Sequence, residues 1–481
     1  MNILLISPHS SPKENETRYV SPALGVHRIA AHLNACGHYA EAFDPNLHDL
    51  AGAGMALEDK LRERVWDFIG VSCLEETLAQ DMANLWTASR IVPSATLVAG
   101  GIEAQYNYQT ILDKTPCEIV VLGEGEWPMS QICDEEGIPM EDIDGIVFKR
   151  KAYALNESYF TDATKAIDWE DIDYESYWDY YLAKYGDPTE EQLDQIHTVR
   201  VYSRNRCPFK CKFCTSTNHL PDACGESVKP FGMVAEDLAD VIERIITAHP
   251  RTRTIYLTSD DFCMRSEDVF AFCEEVIVRG LHERVSFMCF ARAADLDAHM
   301  LLAMDRANFR RLNIGAESFS DSVLAEVGKS CTAGQIHEAL EMVTSAGLQA
   351  FVTAMLVTPE STIADVQATL DGIRRWIDDP AVTFGLAPEV RPTKGSAFYE
   401  MYTDFETEVI PVERKVIKKH TRLYARDPAV KAAQVHYHER EAAYLREYVQ
   451  RMKIKHGTYS NVAAAQVYLM QLCIDWANPK D

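Results

Sequence analysis

Short apolar runs rich in Val and Ile recur in two separate series along this chain, alternating each time with segments whose apolar residues fall at helical spacing. No other feature limits the fold as much, because strand–helix–strand repeats set successive strands parallel and cover both sheet faces with helices. In the first series, residues 2–7 (NILLIS), 39–43, 68–73 (FIGVSC), 96–99 (TLVA) and 118–122 (EIVVL) read as strands. They are short, β-branched and bounded by turn residues. Residues 24–35 and 78–91 carry helical spacing between them. Five such strands predict a Rossmann-like, doubly wound parallel sheet over residues 1–145, with its ligand site beyond the carboxyl ends of the strands.

Residues 146–195 hold a small hairpin (145–155) and an acidic connection, WEDIDYESYWDYY, expected to pack across two domains. A second series follows, with candidate strands at 198–203, 254–258, 285–290, 311–316, 349–357 and 382–386. Helical patterns such as 235–248 and 267–278 separate them, so residues 196–400 predict a partial (β/α)6 barrel. From about residue 411 the pattern reads as helical and charged. Residues 401–481 are therefore expected to form a small helical domain.

The 73 acidic against 47 basic residues give a formal charge of −26, which argues against a nucleic-acid partner. No apolar run reaches the ~18 residues of a membrane span, and MNILLISPHS lacks the basic start and long apolar core of a signal peptide. A cytoplasmic location is expected. Thirteen cysteines there should be reduced, which favours metal ligands or buried thiols over disulfides.

Three of them stand together in RCPFKCKFC: Cys207, Cys211 and Cys214, on the loop after the first barrel strand. Zinc would want a fourth ligand, usually as a second close pair, and that pair is missing. Cys224 lies alone ten residues on, while Cys263, Cys273 and Cys289 fall in barrel elements as buried small residues. Three thiolates on a four-iron cluster leave one iron open to a ligand.

CPFKCKFC resembles the CxxxCxxC signature of the radical S-adenosylmethionine (SAM) superfamily. The resemblance implies a [4Fe–4S] cluster on Cys207, Cys211 and Cys214, its open iron chelated by the amino and carboxylate groups of SAM. It also implies roles around SAM: Phe213 near the adenine, Glu317 of GAES on the ribose, and Arg292 of FARAADL toward the carboxylate. Ser259 and Asp260 of TSDDF stand where many relatives carry a GGE-like motif touching the amino group, a pattern from which this sequence departs.

The run YVSPALGVHRIAAHLNACGHYAEAFDPN (19–46), followed in order by IGVSC, VAGGIEA and VLGEGEWP, resembles the cobalamin-binding domain found in one large radical SAM class. Together the resemblances cover roughly residues 1–388. They imply cobalamin on the strand-end loops, with Ser72, Leu74, Glu75, Gly100, Gly101, Gly123, Glu124 and Gly125 as contacts. Glycines at these ends let backbone approach a flat ring or nucleotide tail, or simply turn strands into helices. No GxGxxG follows the first strand, so a dinucleotide is not expected. The Asp-x-His-x-x-Gly motif of histidine-ligated cobalamin is also absent: Asp297 and His299 have Leu302 in place of its glycine. Base-off cobalamin without a histidine ligand is expected, with Leu74 or Glu75 nearest the metal.

The resemblance thus implies a cobalamin-dependent radical SAM enzyme, with C-methylation of an unactivated carbon as the leading reaction. Hydrogen would leave to a 5′-deoxyadenosyl radical and methyl would arrive from methylcobalamin. A small-molecule or natural-product substrate and an external low-potential donor such as flavodoxin or ferredoxin are expected partners. Cyclisation, ring rearrangement or oxidation is the alternative outcome. A methylthiotransferase would need three further amino-terminal cysteines; of Cys36, Cys73 and Cys117 the first two fall in a helix pattern and a strand, and the acidic tail suits RNA poorly. A cobalamin sensor would have no use for an open iron. Gly328-Lys329-Ser330 is not a phosphate loop, since Val323 replaces its first glycine. His436 and His438 read as solvated residues of a charged helix.

Overall fold

A computed structural model describes the chain except for residues 11–20, 51–55, 135–136, 161–166, 392, 403–404, 413–414, 453–459 and 480–481. Tyr19 and Val20 of the cobalamin-domain run lie outside the described residues. The first sheet contains β1 (Asn2–Ile6), β2 (Tyr39–Phe43), β3 (Phe68–Ser72), β4 (Thr96–Gly100), β5 (Ile119–Val121), β6 (Ile146–Phe148) and β7 (Lys151–Tyr153). Their order is β2-β1-β3-β4-β5-β6-β7. The first five are parallel, whereas β6 and β7 pair antiparallel and carry the sheet past residue 145. Ile3 to Ile6 are all buried, as expected for a strand covered on both faces. Strand order reverses between β1 and β3, so a crevice opens beyond their carboxyl ends.

The second sheet runs in sequence order and is wholly parallel: β8 (Thr198–Val201), β9 (Thr254–Leu257), β10 (Ser286–Ala291), β11 (Phe309–Glu317), β12 (Gln349–Val357) and β13 (Val382–Glu389). β8 and β13 do not pair, so the barrel is open. Its outer helices bury a stripe at helical spacing, for example Leu238, Val241, Ile242 and Ile245. The aromatic connection forms the helix Tyr174–Tyr185, which sinks Trp178 and Tyr181 into the barrel core while the Tyr177 hydroxyl bonds Asp44 beside the first sheet.

The expected helix from residue 411 is corrected by a hairpin, β14 (Phe405–Val412) with β15 (Lys415–Leu423). The cause is local: FETEVIPV and KVIKKHTRL are rich in β-branched residues, and their charges mimic a solvated helix. In a two-stranded ladder both strands are edges, where Pro411 and lysines are tolerated. The helices Pro428–Met452 and Ser460–Ala477 follow. His436 and His438 are not solvated: His436 is buried and stacks on Trp476, and His438 bonds Glu389 at the end of β13. Trp476 covers the first and the end of β13 the second, which charge pattern alone does not reveal.

Candidate functional site

The loop from β8 to the helix Ser216–Cys224 carries Cys207, Cys211 and Cys214, all partly buried free thiols at the carboxyl end of the barrel. Two backbone bonds fix it, Lys212 N–H to Val327 O at 2.9 Å and Phe398 N–H to Lys212 O at 2.9 Å. Gly328 adopts φ +73°, and a Cβ there would lie 3.1 Å from Lys210 O, so glycine lets this second loop pass under the first. Burial pushes the Cys207 thiol up to about 12 and raises that of Cys211, the latter against the opposing charges of Lys329 and Arg292. Among the described residues no three thiol, imidazole or carboxylate side chains yet stand as a metal-holding group. Sites of this kind form with their ligands' deprotonation as metal binds.

Around the triplet, the strand ends supply buried polar groups. Glu317 ends β11 in a left-handed conformation, φ 65°, at an irregularity in the β11–β12 register. Its Oε1 lies 3.0 Å from Lys329 Nζ, with both side chains largely buried. Gly315 leaves room for the pair, since a Cβ there would fall 2.6 Å from Glu317 Oε1 and displace it. Arg292 is buried, lies over the Phe209 ring at 3.3 Å, bonds Asp295 at 3.1 Å, and keeps an unpartnered Nε. Phe213 packs on the cluster of Val323, Met355 and Phe398. Ser259 is fully buried with its hydroxyl 2.8 Å from that of Ser203. Asp260 accepts a hydrogen bond from the Cys207 N–H, and desolvation of its carboxyl raises its pKa.

A cavity of about 220 Å³ lies at the carboxyl ends of β1, β3, β4 and β5. It brings together Ser72, Gly100, Gly101, Gly123, Glu124 and Gly125, whereas Leu74 and Glu75 do not line it. Leu74 is 41% exposed on the adjoining loop. Three of the glycines serve the protein's own packing: added Cβ atoms would meet Cys73 O at Gly101, Ala223 and Leu155 at Gly123, and Ile29 at Gly125. Gly100 is the open one, with its nearest neighbour at 3.9 Å. The opposite wall comes from the barrel: Tyr202, Asn205, His219 and Leu220. Arg28 lines the cavity from the first unit, paired with Glu126 at 2.6 Å and Glu124 at 3.4 Å.

The helix Ser216–Cys224, immediately after Cys214, is clamped into the first unit. Gln105 Nε2 donates to His219 O at 2.8 Å, Tyr106 to Asp222 at 2.7 Å, and Leu155 N–H to Ala223 O at 2.8 Å. From the barrel side, Thr215 donates to Lys394 O at 2.9 Å and Asn218 to Gly395 O at 2.6 Å. One helix therefore forms a wall of both the cysteine loop and the cavity.

Family models agree with this division: the B12 binding domain matches residues 15–132 and the radical SAM superfamily matches residues 201–373. The chain carries a B12 binding domain followed by a radical SAM domain. An anaerobic magnesium-protoporphyrin IX monomethyl ester cyclase of Cereibacter sphaeroides is 23% identical over 72% of this chain, which spans 55% of the cyclase's length. An uncharacterized methyltransferase of Pyrococcus horikoshii is 24% identical over 77% of both chains. The solved cobalamin-dependent SAM radical enzyme OxsB superposes with a TM-score of 0.70 at 14% identity, covering 98% of this chain and 71% of that one. The radical SAM methyltransferase TsrM of Kitasatospora setae gives 0.66 at 16%, covering 85% and 78%.

These domains imply a [4Fe–4S] cluster, SAM and cobalamin. The residues fit such guests. Arg28 Nε, Asn205 Nδ2 and His219 Nδ1, all in residues lining the cavity, are buried without hydrogen-bond partners. Stranded polar atoms of this kind are costly and call for a polar ligand. Burial lowers the His219 pKa to about 4, so its imidazole is neutral. Near the cysteines, Arg206 Nε and Arg292 Nε are stranded in the same way, while burial and then the facing Asp295 carboxyl raise the Asp261 pKa to about 8. Sequence reading missed Arg28, His219 and Lys329. For Lys329 a signal existed, since glycine-lysine directly after a short helix marks a left-handed cap that turns the lysine back.

Proposed function

We propose that this protein is a cobalamin-dependent radical SAM C-methyltransferase acting on an unactivated carbon of a small molecule, fed by an external low-potential electron donor. One observation carries the reading: the cysteine loop and the cobalamin cavity share the helix Ser216–Cys224, so the two cofactors would face one reaction space. The methyltransferase relative of Pyrococcus and the methyltransferase TsrM support methyl transfer. When bound, the cluster with SAM supplies hydrogen abstraction, and cobalamin supplies the methyl group.

The chain's own residues bind and orient. Cys207, Cys211 and Cys214 hold the cluster; Arg292 offers its guanidinium to the SAM carboxylate, and Glu317, oriented by Lys329, accepts the ribose hydroxyls. Phe213 flanks the adenine. Asp260 receives the amino group, with Ser259 bracing the strand end behind it. In the first unit the cavity is an apolar slot between the sheet and Val26, Ile29 and Met129, suited to a nucleotide tail drawn away from cobalt. That supports base-off binding, and the histidine-free arrangement expected from the missing Asp-x-His-x-x-Gly motif would leave His219, which lines the cavity, off the metal.

The test is turnover with methyl-deuterated SAM, a low-potential reductant and a small-molecule extract. S-adenosylhomocysteine and 5′-deoxyadenosine should accumulate together, about one of each per trideuterated product. The second reading, a cyclase or oxidase, is favoured by the Cereibacter relative. It would give 5′-deoxyadenosine without S-adenosylhomocysteine and an unlabelled product.

A further inference from the structure

The opposite end of the barrel holds a second, larger pocket that opens to solvent. A cavity of about 710 Å³ sits at the amino-terminal mouth, lined by the starting residues of β8 to β12 and the loops that feed them. That is the size of a small-molecule pocket. Four arginines line it against three carboxylates, in a chain whose formal charge is −26. Arg253 is held by Glu190 at 2.7 Å and Asp194 at 3.3 Å. Arg284, Arg310 and Arg311 make no ion pair among the described residues.

Arg311 is the telling member. Its Nε is buried without a hydrogen-bond partner, its Nη2 rests on the Met288 sulfur at 3.2 Å, and its guanidinium lies 5.9 Å from the Phe351 ring. Burial strips this cation of water with only thioether, aromatic ring and the more distant Tyr256 and Glu191 to offset the loss, an arrangement that costs free energy until an anion arrives. The planar guanidinium fork matches a carboxylate or phosphate. Two residues further along the same face of β11, Asn313 is 4% exposed; its Nδ2 donates to the Tyr256 hydroxyl at 2.6 Å, and its Oδ1 has no partner. The polar surface thus continues inward from the mouth.

This space is not the reaction end. Arg311 and Glu317 are six residues apart on one strand, about 20 Å at strand rise. Between them Phe351 of β12 lies over the neighbouring strand β13, its Cζ 2.7 Å from where a Cβ on Gly385 would stand.

We propose that the amino-terminal mouth of the barrel is a second binding site, for a small molecule bearing an oxyanion, held by Arg311 at its base and by Arg284 and Arg310 at its rim. The site is independent of the reaction assigned above and does not require its cofactors.

Isothermal titration of the full chain tests it, with inorganic phosphate and citrate as probes in about 0.15 M chloride, which screens weak surface attraction. At least one probe should bind saturably with a Kd below about 1 mM. Arg311→Met, close in length and apolar, should weaken it tenfold or more, and Arg284→Gln with Arg310→Gln roughly threefold or more. Preference for phosphate points to a phosphate ester, preference for citrate to a carboxylate. Absence of saturable binding to about 10 mM, or binding unchanged in both variants, overturns the proposal. Should Arg311→Met fail to fold, the double variant decides, since Arg284 and Arg310 are exposed.

Discussion

His438 on the penultimate helix stands 2.6 Å from Glu389, the last residue of β13, with each side chain about nine-tenths buried. Burial alone would lower the imidazole pKa, but hydrogen bonds to Glu389 and Glu441 outweigh it and raise the value to about 9. The C-terminal helices are therefore tied to the open edge of the barrel by a charged histidine.

A pH dependence follows from that pair. The folded-state pKa lies above the unfolded value of about 6.5, so the stabilisation is complete below that pH and is lost as pH rises through about 9. Comparing the protein with His438→Gln by urea unfolding should show a difference of the order of 2 kcal/mol at pH 6 that closes by about pH 10. A difference that stayed constant over this range would remove the imidazolium from the account.

Lys329 should matter for stability more than an ordinary surface lysine. Removing one member of a buried ion pair leaves the other uncompensated, at a cost of about 3–5 kcal/mol. Lys329→Met should lower the urea midpoint accordingly, and adding Glu317→Gln should restore most of the loss. Equal stability of the two variants would show that the pair is not coupled.

Alanine at Cys207, Cys211 and Cys214 together should abolish iron loading after anaerobic reconstitution while cobalamin binding persists. Gly328→Ala is the subtler probe. Its positive φ and the nearby Lys210 carbonyl should strain the cysteine loop by about 1–2 kcal/mol and reduce iron per chain without changing far-ultraviolet dichroism. Full iron loading in the triple variant would place the ligands elsewhere.

For cobalamin, the cobalt(II) form should give an electron paramagnetic resonance spectrum free of axial nitrogen superhyperfine splitting. His219 makes this a demanding measurement, because a neutral imidazole lines the cavity. Splitting that disappears in His219→Ala would assign it as an axial ligand and refute the histidine-free arrangement.

Strand positions were legible because they depend on local pattern: FIGVSC and TLVA could hardly be anything else once flanked by helical spacing. The cysteine triplet was legible for the same reason, since its ligand spacing lies within one loop. Arg28, His219 and Lys329 were not, because only tertiary structure strips them of water and decides what they face. The hairpin of β14 and β15 failed differently: its lysines and glutamates outweighed, to the eye, the Val and Ile that set its conformation.

The shared helix Ser216–Cys224 also limits how such proteins can be recombined. Leu220 and Ala223 fill the space above Gly123, so the barrel's first helix belongs by contact to the sheet in front of it. A chimera cut in the connection between the two units would carry that helix away from its seat and open the cavity to solvent. A productive exchange would have to move β8, the cysteine loop and this helix together with the first unit, so the functional seam of the molecule runs inside the barrel and not between its modules.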